Sequence, residues 1–149
     1  MIEYVKGNLL DADDRDIILQ QVNCQGAMNS GIARQIRNRY PDVFTSYKKM
    51  CDEHKDNTSE LLGSVDYFIA PDYLIANCFG QDRYGRDKRH TSYAALKECF
   101  ENVATNKGCR IGIPYKIGCG LGGGDWDVVS HVIHNAFKDM DVKIYIYEE

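Results

Sequence analysis

Lys116 to Asp127 reads KIGCGLGGGDWD, with five glycines between Gly118 and Gly124. The run Arg110-Ile111-Gly112-Ile113-Pro114-Tyr115 leads into it, and Asp125-Trp126 opens a segment whose apolar residues recur at helical spacing. The expected order is strand, glycine loop, helix. Glycine admits positive φ and close backbone approach, which lets consecutive N–H groups turn toward one anion at a helix N-terminus. A phosphate suits that chemistry. Gly118, Gly120 and Gly123 also fit the dinucleotide fingerprint, but that pattern belongs before a βαβ unit with an acidic residue about 20 positions on. Only one helix and one strand follow here, so the stretch reads as a phosphate loop near the end of an α/β domain. The competing reading is a glycine-rich surface turn.

A loop of the same kind stands earlier. Ile17 to Cys24 reads as an internal strand with Asn23 and Gln25 at its C-terminal end, where open α/β sheets place ligands. The small-residue stretch Gly26 to Gly31 follows, then Ile32, Ala33, Ile36 and Tyr40 at helical spacing. Pro41 ends that helix, and Val43, Phe44, Tyr47 and Met50 mark another. Two loops, each after a strand and before a helix, suit a diphosphate, which needs donors on more than one side.

The remaining segments complete an alternating pattern. Ile2–Lys6 reads as a short strand ending in the turn Gly7-Asn8-Leu9-Leu10, and Asp11 to Asp16 is an acidic connector. Ser64 to Ala70 and Tyr73 to Asn77 are β-rich runs separated by the turn signal Pro71-Asp72. Phe79 to Thr91 is a long charged loop, and Thr91 or Ser92 is the candidate cap of a helix carrying Tyr93, Leu96, Phe100 and Val103. Trp126, Val129, Ile133 and Phe137 mark the last helix, and Val142 to Tyr147 the closing strand. About six strands alternating with four or five helices predict a three-layer α/β/α sandwich. The short link between the middle strands predicts one antiparallel pair, hence a mixed central sheet.

With 149 residues, the chain is expected to be a single domain over 1–149. A net charge of −4 is a poor basis for general nucleic-acid binding. Six cysteines without C-x-x-C pairs suggest reduced, packed thiols, and the N-terminus lacks a signal-peptide pattern, so a cytoplasmic location with no membrane partner is expected.

Tyr4-Val5-Lys6-Gly7-Asn8-Leu9, Val22-Asn23-Cys24-Gln25-Gly26, Ser30-Gly31-Ile32-Ala33 and Ile113-Pro114 through Ile117-Gly118-Cys119-Gly120-Leu121 together resemble the macrodomain family. The resemblance runs nearly end to end. It is strongest to the branch of ADP-ribose 1″-phosphate phosphatases and the terminal ADP-ribose–protein glycohydrolase. It implies an ADP-ribose cleft over the strand ends. Asn8 matches the family's adenine-contacting Asp and, with Leu9, is assigned to adenine; Asn keeps an acceptor but loses the charge. Asn23 matches the asparagine facing the distal ribose, with Gln25 and Gly26 beside it. Ser30, Gly31 and Ile32 fall on the first diphosphate loop, where the usual three glycines are replaced by Met28-Asn29-Ser30-Gly31. Gly118, Cys119, Gly120, Leu121 and Gly122 fall on the second. The lysine-dependent glycohydrolases have a Lys after the strand equivalent to Leu74–Ala76 and an Asp directly after Cys-Gly-Leu. This chain has Asn77-Cys78 and Gly122 there, which argues against a lysine adduct.

Several residues carry two readings. Asp125 is either a base or water-orienting carboxylate, or the N-cap of the last helix. Asn23 either positions a water or ties strands together as a buried amide. Cys119 has no basic neighbour in sequence to activate it and reads as a packed thiol. His131 and His134 lack a third ligand, so no metal is assigned. Arg83, Arg86, Lys88, Arg89 and His90 are either an anion-gripping cluster or a solvated loop, with Gln81 and Tyr84 as rim contacts to the distal ribose. The resulting expectation is a hydrolase of ADP-ribose derivatives, with ADP-ribose 1″-phosphate leading and Asn23 with Asp125 positioning water. No cofactor is assigned. The alternatives are a mono-ADP-ribosyl glycohydrolase on protein or nucleic acid, and a non-catalytic ADP-ribose reader. ADP-ribosylated macromolecules are the further expected partners.

Overall fold

The computed structural model describes residues 1–29 and 31–147. Six strands form one sheet: β1 (Ile2–Lys6), β2 (Ile17–Asn23), β3 (Val65–Ile69), β4 (Leu74–Gln81), β5 (Ile111–Pro114) and β6 (Val142–Ile146). Their spatial order is β1-β6-β5-β2-β4-β3. Every neighbouring pair is parallel except β3 with β4, so the sheet is mixed, as the short turn at Pro71-Asp72 requires. Four helices complete the layers: α1 (Gly31–Arg39), α2 (Pro41–Glu53), α3 (Tyr93–Ala104) and α4 (Trp126–Ala136).

Strand alternation divides the core in two. Ile17, Leu19, Ala76 and Cys78 face one way, against Leu96, Phe100 and Val103 of α3 and Val129 and Ile133 of α4. Ile18, Val22, Ile75 and Phe79 face the other, against Ile36 of α1 and Val43 and Tyr47 of α2. Each face is covered by two helices, which explains why β2 and β4 are apolar nearly throughout. The result is the α/β/α sandwich expected from the sequence. Pro41 both stops α1 and occupies the first turn of α2, where its missing N–H costs nothing.

One local expectation changes and two are narrowed. β4 runs to Gln81 rather than ending at Asn77, so Asn77 is an internal residue whose Oδ1 accepts from Gln20 Nε2 at 2.7 Å in the core. An amide was read as a strand end, but its cross-strand partner satisfies it inside the sheet. The charged loop accordingly starts at Asp82. Ser92, not Thr91, caps α3 by accepting from Ala95 N. Finally, Gly7 to Leu10 passes into a short 3-10 turn, Leu9–Asp11, capped by the Asn8 side chain.

Candidate functional site at the strand ends

From β2 the chain runs by α1 and α2 to the edge strand β3, returns to β4 beside β2, and then passes by α3 to β5 on the other side, so the strand order diverges at β2. Ligands in open α/β sheets bind at such a divergence, beyond the C-terminal strand ends. A cleft of about 1050 Å³ opens there. A register shift between Val22 and Asn23 leaves Gly80 unpaired and sets Asn23 opposite Gln81, bringing both to the cleft.

Its walls come from both loops that the sequence singled out. The N-terminus of α1 contributes Gly31 through Gln35, and the glycine loop contributes Gly118, Gly120, Leu121 and Gly122. The first N–H groups of any helix have no intrahelical acceptor, so the start of α1 presents donors and a partial positive charge. In the glycine loop, Cys119 N donates to Lys116 O, Gly123 N to Gly120 O and Gly124 N to Gly118 O. Among the described residues, the N–H groups of Gly118, Gly120, Leu121 and Gly122 find no acceptor. The residues with free donors are the ones that line the cleft, while Cys119, whose donor is used, does not.

A buried network fixes this loop from below. Thr91 Oγ1 donates to Gly118 O at 2.7 Å and accepts from Gln21 Nε2 at 2.9 Å. The same Gln21 nitrogen donates to Gln81 Oε1 at 2.6 Å, and Gln81 Nε2 donates to Arg83 O at 2.7 Å. Gln21 Oε1 is buried without a hydrogen-bond partner among the described residues. Gly118 has φ +75°, and a Cβ there would sit 2.9 Å from that oxygen. A Cβ on Gly122 would collide with Thr91 Oγ1 and lie 2.9 Å from Gly118 O. The glycine at this position is therefore demanded by packing, and an Asp in its place would have to displace the loop.

No Asp, Glu, His or Cys is among the described residues lining the cleft. Its charged residues are Arg34, Arg86 and Lys116, one from each of three separate segments, in a chain whose net charge is −4. Three described carboxylates near the cleft residues in sequence are engaged elsewhere. Asp82 Oδ1 accepts from Gln25 Nε2 and Thr58 Oγ1, Asp87 pairs with His90 at 2.9 Å, and Asp125 Oδ1 accepts from Asp127 N as the N-cap of α4.

Of the residues read as site residues, Asn8, Leu9, Asn23, Gly31, Ile32, Gln81, Tyr84, Gly118, Gly120, Leu121 and Gly122 line this cleft. Gln25, Gly26, Cys119 and Asp125 do not, and Ser30 lies outside the described residues. Gln25 is drawn outward by Thr58 and Asp82, and Gly26, at φ +81°, packs toward Lys48 and Cys51. Cys119 packs against the core, and burial pushes its thiol up to about 11. Asp125 is the cap that orients the exit of the glycine loop.

The Asn23 amide is held by its own turn and by α2. Its Oδ1 accepts from Gln25 N (2.9 Å) and Ala27 N (3.3 Å), and the Tyr47 hydroxyl shares its proton between Asn23 O (2.6 Å) and Asn23 Oδ1 (2.8 Å). Burial drives the Tyr47 phenol above its ordinary range, so it stays a donor. Asn23 Nδ2 donates once, to Ala27 O, leaving one amide hydrogen for the cleft. The oxygen is saturated; what Asn23 can offer a ligand is a donor. Asn8 is similarly occupied: Oδ1 accepts from Leu10 N, and Nδ2 donates to Gln35 Oε1 at 3.3 Å.

Gln21, Thr91, Arg34, Lys116, Tyr115, Tyr145 and Tyr147 were not read as site residues. A polar pair, Gln20-Gln21, inside the apolar run of β2 was the available signal for the network. Lys116 stands within the glycine stretch itself and, among the described residues, is the non-glycine residue with positive φ, 62°. The tyrosines meet only through the pairing of β5 with β6 and carried no local signal. The described residues contain no grouping of three or more His, Cys, Asp or Glu side chains that could hold a metal ion, and no helix among them is long and apolar enough to cross a membrane.

Residues 20–133 match the Macro domain family, and the chain belongs to that family. It is 31% identical to the DNA ADP-ribosyl glycohydrolase of Mycobacterium tuberculosis, over 99% of this chain but only 42% of that protein's length. It is 25% identical to the ADP-ribose 1″-phosphate phosphatase of Debaryomyces hansenii, over 99% of this chain and 100% of that one. In structure it resembles the macrodomain of Mycobacterium tuberculosis DarG, with a TM-score of 0.81, 28% identity and 97% of both chains covered.

Proposed function

We propose that the cleft binds ADP-ribose and that the chain hydrolyses ADP-ribose 1″-phosphate to ADP-ribose and phosphate. One observation carries this reading: free backbone donors and three cations surround a cleft with no carboxylate in its described wall, in an acidic chain. Such a site selects an anion along its length. Asn8 and the Leu9 backbone take the adenine end, Gly31 and Ile32 with Gly118, Gly120, Leu121 and Gly122 take the diphosphate, and Gln81, Tyr84 and the spare Asn23 donor take the distal ribose. Gln25, Gly26, Cys119 and Asp125 serve as supports of the two loops. Catalysis on this reading is positioning plus electrostatic stabilisation, with no side-chain base. The phosphatase relative, matched along its whole length, favours this substrate.

A second reading, removal of ADP-ribose from nucleic acid, is favoured by the DNA-directed relative and by the exposed cluster Arg83, Arg86, Lys88 and Arg89 beside the cleft. Calorimetry with ADP-ribose and a phosphate-release assay on ADP-ribose 1″-phosphate test the first reading. Release of ADP-ribose from a modified oligonucleotide, without phosphate release, would replace it with the second. Binding without either product would leave a reader, and absence of binding would refute both.

A further inference from the structure

β3 (Val65–Ile69) lies at one edge of the sheet, with β4 as its neighbour. The residues on either side fix the phase of that ladder: Phe79 N donates to Ser64 O at 3.1 Å, and Ala70 N donates to Tyr73 O at 3.0 Å. Inward-turned residues alternate in an antiparallel pair, so Ser64, Asp66, Phe68 and Ala70 direct their backbone groups to β4. Val65, Tyr67 and Ile69 turn theirs the other way. The N–H and C=O groups of these three find no further backbone partner among the described residues.

The two edges of the sheet differ in how they are guarded. β1 carries exposed Glu3 and Lys6, charges of the kind that keep another strand from pairing. On β3, Val65, Tyr67 and Ile69 share one face, and Ile69 is 81% exposed. The Tyr67 hydroxyl donates to Asn102 Oδ1 of α3 at 2.6 Å, which holds its ring at the rim. Asp66 is the acidic residue of the strand, and its carboxylate turns onto the opposite face, where it accepts from Asn77 Nδ2 at 3.4 Å.

The strand is also complementary to itself. Laid antiparallel on a second copy about a two-fold axis at Tyr67, Val65 meets the partner's Ile69, Tyr67 the partner's Tyr67, and Ile69 the partner's Val65. Each of these pairs joins two outward-turned residues and exchanges two hydrogen bonds. Apolar side chains meet apolar ones, and the carboxylates do not face each other, because Asp66 falls opposite the partner's Phe68. The ladder stops at both ends for the same reason. The next outward positions pair Gly63 with the partner's Pro71, and Gly63 N is already given to Phe79 O while proline has no N–H.

We propose that β3 is a self-association edge, through which two copies of this chain join their sheets as a two-fold dimer. No β3 residue lines the cleft, so both clefts stay open and the inference stands whatever they bind. One short strand pair belongs among the small interfaces, so the dimer forms and dissociates with concentration.

Sedimentation velocity over a wide range of protein concentration tests this, beside residue-resolved amide hydrogen exchange at the two ends of that range. The sedimentation coefficient is expected to rise with concentration toward the dimer value, with exchange slowed at Val65, Tyr67 and Ile69 and unchanged along β1. Ile69→Lys, at a position already mostly in solvent, is expected to keep the parent's urea midpoint and to stay monomeric throughout. A parent that is monomeric at every concentration overturns the inference. So does a dimer whose three amides exchange as fast as in dilute protein, or one that Ile69→Lys leaves intact.

Discussion

Replacing Thr91 with valine separates the buried network from the cleft it supports. Thr91 is 2% exposed, gives one hydrogen bond to Gly118 O and takes one from Gln21 Nε2. Each such bond contributes about 0.5–1.5 kcal/mol net, and the cost rises when a buried partner is left orphaned. Neither partner is orphaned here, because Gly118 O keeps Gly124 N at 2.9 Å and Gln21 Nε2 keeps Gln81 Oε1 at 2.6 Å. The expected loss of stability is therefore about 1–2 kcal/mol. Binding suffers separately, because the ligand must now order a looser loop. Fixing one residue's backbone costs about 1–2 kcal/mol, and each 1.4 kcal/mol is tenfold in affinity. A weakening of about 3- to 10-fold toward ADP-ribose is expected. Urea denaturation reads the first quantity and calorimetry the second. Combining the change with Gln21→Leu in a double-mutant cycle should give a coupling of about 0.5–1.5 kcal/mol. A variant with unchanged urea midpoint and affinity within about twofold of the parent would refute the claim that this network holds the glycine loop.

Arg86→Gln should weaken binding of ADP-ribose 1″-phosphate several-fold more than that of ADP-ribose, with the gap narrowing as salt is raised; equal losses in competition calorimetry would show that Arg86 does not face the terminal phosphate. Tyr47→Phe removes the hydroxyl bonded to Asn23 and should cost about 1–3 kcal/mol in a urea melt, with faster amide exchange at Gln25 and Ala27. Arg110 holds the Asp16 carboxyl down to about 2 from 3.8, chiefly through its side-chain hydrogen bonds. A depressed carboxylate contributes stability above its unfolded value that disappears as pH falls through the folded one. The stability gap between parent and Arg110→Gln should therefore be constant above about pH 5 and shrink between about pH 4 and 2, and a gap independent of pH would contradict the pairing.

The fold was legible because its signals are local. Each face of β2 alternates through Ile17, Ile18, Leu19 and Val22, and the Pro71-Asp72 turn leaves its two strands no option but to run antiparallel. The glycine loop at the cleft was legible for the same reason, as glycine at Gly118 and Gly122 answers to backbone angle and close approach. What escaped the sequence depends on neighbours remote along the chain. Asn77 gave the appearance of a strand end because Gln20, 57 positions away, is the partner that lets an amide lie inside the sheet. Asp125 read first as a cap and second as a base; the structure shows the cap, with Oδ1 accepting from Asp127 N and the residue outside the cleft lining. Asn23 was read as a water-positioning group; the Tyr47 hydroxyl from α2, invisible at that spacing, takes up its oxygen.

Among the described residues, the side chains lining the cleft include amides, tyrosines, two arginines and one lysine, which has a kinetic corollary. Those side-chain types keep their charge across neutral pH, whereas the second ionisation of a phosphate ester falls near pH 6. Any rise or fall of turnover between about pH 5 and 8 would then report the protonation of the bound molecule instead of the enzyme, and the inflection should move when the leaving group is exchanged for one of different acidity.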